Sequence, residues 1–358
     1  MRLLHHEAKG FRCLDTLRLE PGPGLNVVRG RNAQGKTSVL ESILFAATSK
    51  SHRTTQEREL LHHRDESFHL KTAVERGGRE LMIEANWWRG AKRFKVNGVP
   101  QTRMSDVLGK LNVVLFSPED VEIVKGSAAV RRKFLDMELS QIEPRYLQAL
   151  QHFRQVLRQR NELLRGRKPD RELVRAWEPQ YLEAGAAIMD ARARFVEELG
   201  AHATATHAAI GGGEGLQVAY APDVAEPGQL ERALDESFER DVRRQQTMRG
   251  PHRDDIALRV GEQTARAFGS QGQQKTAALA LRLALVQLVR ARMGEYPVLM
   301  LDEVIAELDA DRSRRLFESI PLEVQCIATT TSLEGGAPTG YGGELAEFRI
   351  EGGQLERT

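Results

Sequence analysis

Gly30-Arg31-Asn32-Ala33-Gln34-Gly35-Lys36-Thr37 follows the apolar run Leu25-Asn26-Val27-Val28 and precedes Ser38-Val39-Leu40-Glu41-Ser42-Ile43-Leu44. The octet fits G-x-x-x-x-G-K-[ST] in full, set between a predicted strand and a predicted helix, the context in which such a loop cradles phosphates. Its glycines let the backbone curl so that successive N–H groups face phosphate oxygens, and the helix N-terminus adds partial positive charge there. In that role Lys36 reaches the β- and γ-phosphates of a nucleotide, and the Thr37 hydroxyl ligates Mg²⁺. A chance lysine in a Gly-rich turn is the bland alternative, and the flanking strand and helix weigh against it.

A second stretch complements the first. Val298-Leu299-Met300-Leu301 reads as a buried strand with Asp302 and Glu303 at its C-terminal end, the end beside which α/β proteins bind ligands. Asp302 is then the expected Mg²⁺ ligand, and Glu303 the general base that polarises an attacking water. Such a strand is weak evidence alone and strong evidence beside a phosphate loop.

Around these anchors the chain alternates strands and helices. Phe68 to Val74, Glu80 to Trp88 and Lys92 to Val96 alternate apolar and polar residues, punctuated by Gly77-Gly78, Arg89-Gly90 and Asn97-Gly98, which are hairpin signals. Helical spacing takes over after Pro118. Tyr146, Leu150, Phe153 and Leu157 mark one helix, and Leu182, Ala186, Met189, Ala193 and Val196 a second. The break at Gly166-Arg167-Lys168-Pro169-Asp170 makes them an antiparallel hairpin. Further strands are expected at Leu216 to Tyr220, Ile256 to Val260 and Val324 to Ala328, with helices over Gln271 to Arg292 and from Ala310. The predicted architecture is an α/β ATPase head whose two halves, 1–117 and 246–358, are separated by a helical second lobe, 118–245.

Composition excludes several classes. The 358 residues are 41% hydrophobic and 28% charged, ordinary for a globular protein. No apolar run is long enough to span a bilayer, and the N-terminal residues lack the core of a secretion signal. Cys13 and Cys326 are too few for a disulfide framework and wrongly spaced for zinc, so a cytoplasmic setting with no membrane partner is expected. Ten histidines include the pairs His5-His6 and His62-His63, but neither pair has a third ligand at useful spacing, and surface histidines are the expectation. The net charge of +2 hides a local excess, 13 Lys/Arg against 7 Asp/Glu between Val121 and Arg175, which is either a solvated helical face or a nucleic-acid surface.

The third chemical stretch narrows the family. Phe268-Gly269-Ser270-Gln271-Gly272-Gln273-Gln274-Lys275 opens a long, mostly apolar helix, and Lys275 lies 27 positions before Asp302. Alone, Ser270 reads as a helix N-cap. In this order the octet resembles the signature loop of ATP-binding-cassette (ABC) ATPases, and Glu307-Leu308-Asp309 resembles their D-loop. Gly10-Phe11-Arg12, Ser49-Lys50-Ser51-His52-Arg53, Ser117-Pro118-Glu119-Asp120, Arg131-Arg132-Lys133-Phe134-Leu135-Asp136 and Arg249-Gly250-Pro251-His252-Arg253-Asp254-Asp255 narrow the resemblance to the RecF family of bacterial recombination mediators, related to the heads of SMC and Rad50 proteins. Two features depart from transporter cassettes. Ala328-Thr329-Thr330-Thr331-Ser332 stands where they carry a switch histidine, and Phe116-Ser117-Pro118-Glu119 where they carry a Q-loop glutamine. Slow, timer-like hydrolysis is the expectation.

The resemblance implies a weak, DNA-stimulated ATPase that acts as an ATP-dependent DNA-binding clamp in recombinational repair of replication gaps, DNA replication and the SOS response. ATP and Mg²⁺ would be its cofactors. Arg12, the loop residues Gly30 to Thr37 with Ser38, and Ser270, Gly272, Gln273 and Asp309 would contact nucleotide. In the family the signature loop of one subunit meets the γ-phosphate held by the other, so Ser270 joins Lys36 and Glu303 as a catalytic residue and ATP drives homodimerisation. Duplex DNA, gapped or with a single-strand junction, and RecR working with RecO are the implied partners. Trp87-Trp88-Arg89-Gly90-Ala91-Lys92-Arg93-Phe94-Lys95 interleaves aromatics and cations. It reads equally as an edge strand with one Trp in the core, and the resemblance tips Arg89, Lys92, Arg93 and Lys95 toward DNA. Arg131, Arg132 and Lys133 are further candidates, unless they pair with acids to anchor the helical lobe. A transporter ATPase subunit would need a switch histidine, an SMC-type structural head would need long heptad arms, and a metabolic phosphotransferase would lack Ser270-Gln271-Gly272.

Overall fold

The computed structural model describes residues 1–166, 169–211, 215–261, 263–265, 270–308, 310–332 and 338–358, with the backbone alone at 306 and 307. In chain order, β1 (Arg2–Phe11), β2 (Leu14–Leu19), β3 (Leu25–Arg29), α1 (Lys36–Thr48), β4 (Ser67–Arg76), β5 (Arg79–Trp88), β6 (Ala91–Val96), β7 (Val99–Gln101) and β8 (Val113–Phe116) come first. Next are α2 (Val121–Lys125), α3 (Ala128–Ile142), α4 (Pro144–Leu164), α5 (Arg171–Arg175), α6 (Glu178–Gly211), β9 (Leu216–Ala221), α7 (Leu230–Arg244), β10 (Asp255–Val260) and β11 (Gln263–Thr264). The chain closes with α8 (Gln271–Met293), β12 (Val298–Leu301), α9 (Val304–Glu307), α10 (Ala310–Ser319), β13 (Cys326–Thr330), β14 (Leu345–Glu351) and β15 (Gln354–Arg357).

Two compact units result, one of Met1–Asp120, Thr206–Gly212 and Leu279–Thr358, the other of Val121–Ala205 and Gly213–Ala278. Residues 246–278, read from sequence with the ATPase half, fold with the helical unit instead. The reason is pairing: β10 runs antiparallel to β9 from Asp255↔Ala221 to Val260↔Leu216.

The first unit holds two sheets. One is antiparallel in the order β2-β1-β4-β5-β6-β7; the other runs β15-β14-β3-β13-β12-β8, parallel from β14 to β8. Strands β8, β12 and β13 are buried at every position, which is why β8 and β12 read as unbroken apolar runs. The antiparallel sheet turns as its sequence signals require. Gly77-Gly78, Arg89-Gly90 and Asn97-Gly98 all have positive φ at both central positions, the backbone of two-residue hairpin turns. Helix α1 packs on strands of both sheets. Its Phe45 meets Phe68 edge-on at 5.1 Å, and Phe11 meets Phe68 at 5.2 Å, geometries that aromatic pairs favour.

The second unit departs from its predicted outline in two ways. The second helix of the hairpin, whose spacing predicts a continuous run from about Arg171 to Gly200, is broken between α5 and α6, because Pro179 would clash with the carbonyl of Arg175. Of the expected stripe of α6, Met189 and Val196 are buried, Leu182 and Ala186 are half-buried and Ala193 is exposed, while Tyr181, Ile188, Phe195 and Leu199 are fully buried beside them. A buried arginine, Arg192, shares that side. Arg192 donates to Asp136 Oδ1 and Asp254 Oδ2, both at 2.9 Å, and to Tyr146 Oη at 3.0 Å. A buried guanidinium must keep such partners.

Candidate nucleotide-binding site

The phosphate loop joins β3 to α1, and its neighbours dictate its residue types. A Cβ on Gly30 would lie 2.6 Å from the Ile350 carbonyl oxygen, so only glycine allows β14 this close. Gly35 has φ +108 and immediately precedes α1, a left-handed conformation that side chains disfavour. Gln34 is held from the C-terminal hairpin. Its carbonyl accepts from Gly353 N at 3.1 Å and its Oε1 from Gly352 N at 2.6 Å. That support comes from β14 and β15, which were not read from the sequence.

A cavity of about 470 Å³ opens over the loop, lined by Asn32, Ala33, Gly35 to Ser38, Cys13, Arg53 and Glu303. Lys36 is buried and donates to the carbonyls of Gly30 (2.8 Å) and Arg31 (3.0 Å), with Glu303 Oε1 at 2.9 Å. Thr37 Oγ1 donates to Asp302 Oδ1 at 3.1 Å, and Thr329 Oγ1 donates to the same oxygen at 2.7 Å. Thr329 Oγ1 also accepts from Glu303 N at 2.9 Å. Glu303 has φ +55, a conformation uncommon for glutamate. Burial raises the Asp302 carboxyl above its ordinary range; donation from Thr329 and Thr37 opposes the shift, and the Glu303 charge adds to it. A buried carboxylate oxygen beside a threonine hydroxyl is a hard-oxygen set that suits Mg²⁺.

Not every expected contact residue lines this cavity. Arg12, expected near nucleotide, sends its guanidinium to Glu41, at 2.9 and 2.8 Å, and to the Glu59 carbonyl at 2.8 Å. Glu41 is fully buried in α1 and also accepts from Ser51 Oγ at 2.5 Å. Burial pushes its carboxyl up, but the Arg12 and Ser51 hydrogen bonds and the Arg12 charge outweigh burial and hold it below the usual carboxylate range. Among the described residues it is Arg53, two positions past Ser51, that lines the cavity. Arg53 was visible within Ser49–Arg53 but was not assigned to the site. Cys13 carried no sequence signal for it, and Thr329 was visible only within Ala328–Ser332, the stretch that stands in place of a switch histidine.

The signature stretch belongs to the second unit. Ser270 Oγ accepts from Gln273 N at 3.2 Å, and Ser270 N donates to Gln273 Oε1 at 2.7 Å, a reciprocal capping box that starts α8. Ser270 is exposed and Gly272 half-buried. Phe268, Gly269 and the D-loop Asp309 lie outside the described residues.

The cation candidates divide. Trp87 is buried, stacked with Phe68 at 6.2 Å and donating to Glu57 Oε2 at 3.1 Å, whereas Trp88 is 51% exposed with Arg89 over its ring. Arg89 and Arg93 are exposed and Lys95 half-buried. Lys92 pairs with Glu57 Oε1 at 2.5 Å and donates to the Ser49 carbonyl at 3.3 Å, so much of its charge is already compensated. Arg131 is a correction. It is 4% exposed and grips Asp255 through Nε (2.6 Å) and Nη2 (2.9 Å), with the Gly126 carbonyl at 2.9 Å. Arg132 donates to the Asp254 carbonyl at 2.7 Å, and Lys133 is exposed. Of this trio, Arg131 anchors the unit internally rather than presenting a surface charge. The Arg249–Asp255 stretch is likewise structural: Arg249 Nε pairs with Asp223 at 3.1 Å and Asp254 with Arg192.

Comparison with known proteins agrees with this geometry. The family described as "RecF/RecN/SMC N terminal domain" matches residues 3–334. Curated proteins named "DNA replication and repair protein RecF" from Bacillus mycoides (strain KBAB4) and Halalkalibacterium halodurans are 40% and 38% identical, over 92% and 91% of this chain and 92% of each relative. A solved structure of the recombination mediator protein RecF-ATP in the RecFOR pathway superimposes with TM-score 0.91 at 31% identity, covering 99% of this chain and 97% of that one. An Smc head bound to the C-winged helix domain of ScpA shares the fold, with TM-score 0.59 at 14% identity, covering 100% of this chain and 97% of that one. The α/β ATPase-head fold expected from the sequence is therefore the fold observed. The chain belongs to the RecF family, within the RecF/RecN/SMC N-terminal domain proteins.

Proposed function

We propose that this chain is an ATP-dependent DNA-binding protein of replication and repair, whose nucleotide-driven dimer is the DNA-binding form. The observation that carries it is that Lys36, Thr37 and Glu303 line one cavity, with Asp302 hydrogen-bonded to Thr37 and Lys36 paired with Glu303. Gly30 to Ser38 hold the phosphates, and Thr37 with Asp302 hold Mg²⁺, which when bound neutralises phosphate charge. Glu303 takes a proton from the attacking water. Thr329, standing where a switch histidine would, carries no titratable group, which supports slow hydrolysis that times release.

Ser270, Gly272, Gln273 and Asp309 complete the site of a second copy, so ATP is shared across a two-fold axis. The exposed Arg89 and Arg93, with Lys95, contact DNA phosphates without reading sequence, on gapped or junction-bearing duplex in the cytoplasm. The RecFOR context of the similar structures supports RecR and RecO as partners. Light scattering with Mg-ATP tests the reading. The parent chain dimerises, and Ser270→Arg, a bulky cation at the proposed interface, still binds ATP but remains monomeric. A Ser270→Arg variant that dimerises on ATP would leave Ser270 as a helix cap only.

A further inference from the structure

We infer that Asp15, His62 and Asp65 form a site for a divalent transition-metal ion of the Zn²⁺ or Co²⁺ class, separate from the nucleotide cavity. One ligand atom from each lies within 4.8 Å of the other two. Ligand bonds of about 2.0–2.2 Å put such atoms roughly 3–3.5 Å apart around a tetrahedral ion. Closing the set therefore takes about an ångström of movement, available because Asp15 and Asp65 are exposed.

His62 is the independent pointer. Its side chain is nine-tenths buried, and Nδ1 lies 3.2 Å from Asp65 Oδ2. Nδ1 is nevertheless fully buried and makes no hydrogen bond. An imidazole nitrogen facing a carboxylate oxygen off the hydrogen-bonding direction is the arrangement of two ligands that share an ion, and a simple ion pair would align. Burying an unsatisfied ring nitrogen costs free energy that a metal bond would recover. The backbone holds the set in place. His62 N donates to the Gly10 carbonyl at 2.9 Å, Asp65 N donates to the His62 carbonyl at 2.9 Å, and the Phe11↔Leu61 bridge carries the β1–β2 turn alongside. Asp15 on β2 thus meets residues 47 and 50 positions away, which adjacent-pair spacing could not reveal.

One neutral imidazole and two carboxylates suit a borderline divalent ion. His62 and Asp65 also line a cavity of about 680 Å³ with His63, Arg58, Trp87 and Arg89, so remaining coordination positions are open to water or an anionic ligand.

Cobalt(II) titration of the untagged, nucleotide-free full chain, read by visible absorption, tests this. We expect a d–d band saturating at one equivalent per chain. Asp15→Asn and Asp65→Asn should each weaken binding at least tenfold with the melting temperature of the metal-free protein unchanged. Asp302→Asn, which removes the carboxylate of the proposed Mg²⁺ site, should leave the band intact. A parent titration with no band, a band that survives the Asp15→Asn/Asp65→Asn double substitution, or one lost in Asp302→Asn would overturn the assignment.

Discussion

Lys36 Nζ lies 2.9 Å from Glu303 Oε1, so the cation of the phosphate loop and the carboxylate that follows the β12 strand are ion-paired in one cavity. With the Gly30 and Arg31 carbonyls also accepting from it, the ammonium is fully engaged by its own chain. Phosphate oxygens must therefore compete for it, and the two residues are energetically linked.

From this pairing, Lys36→Met should weaken ATP binding by about 10- to 100-fold, the worth of a charged hydrogen bond, with the melting profile nearly unchanged. Glu303→Gln removes the negative competitor while keeping shape. ATP affinity should hold or rise, and phosphate release should fall by roughly 10²-fold or more. Labelled-ATP binding beside phosphate-release assays checks both, and parental turnover in Glu303→Gln would remove its role as base.

Thr329 links the Asp302 carboxylate to the Glu303 backbone amide, and Thr329→Val should expose its part. Without its donation the Asp302 carboxyl rises further above the ordinary range, since burial already pushes it up. Mg²⁺ needs the ionised form, so Mg-dependent ATP binding is lost as pH falls through the raised pKa. In Thr329→Val that loss should begin at higher pH than in the parent. Coincident pH profiles of ATP affinity at fixed Mg²⁺ would contradict the link.

Arg131 and Arg89 should separate stability from DNA binding. Arg131→Ala leaves Asp255 without its charged partner and should cost about 1.5–3 kcal/mol in denaturant unfolding. Arg89→Ala with Arg93→Ala should leave stability within about 0.5 kcal/mol, as for exposed positions. It should flatten the log–log salt dependence of ATP-bound DNA binding by about 0.9 per lost phosphate contact. An unchanged slope would move the DNA path off the hairpin.

His6 makes the fold acid-sensitive. It is buried between Thr72 Oγ1 (2.9 Å) and Ser42 Oγ (2.8 Å), and burial, helped by the charge of His5, pushes its pKa down to about 3. The unfolded chain protonates near pH 6.5 while the folded chain does not, so stability is full above that pH. It is then lost progressively as pH falls toward 3. His6→Gln should lower stability at pH 8 yet flatten its decline between pH 6.5 and 4, measured by urea unfolding across that range. An equally steep decline would shift the cause to other groups, of which His252, pushed down to about 4 by burial, is the first to test.

The sequence by itself determined what depends on neighbours along the chain. The phosphate loop between an apolar run and a helix, the strand ending in Asp302-Glu303, and the three left-handed hairpin turns were legible because each is specified by local backbone preference and residue type. The tertiary structure decided what depends on residues distant in sequence. It placed Thr329 on Asp302, Arg53 in the cavity, the Gly352-Gly353 turn on Gln34, Arg131 on Asp255, and Asp15 beside His62. No spacing rule could anticipate these pairs, because a side chain's partner is set by which strands and helices pack together. The same argument separates Arg131 from Arg89. Both are cations in basic stretches, and only packing around Asp255 buries one of them, because a guanidinium leaves water only where a carboxylate awaits it.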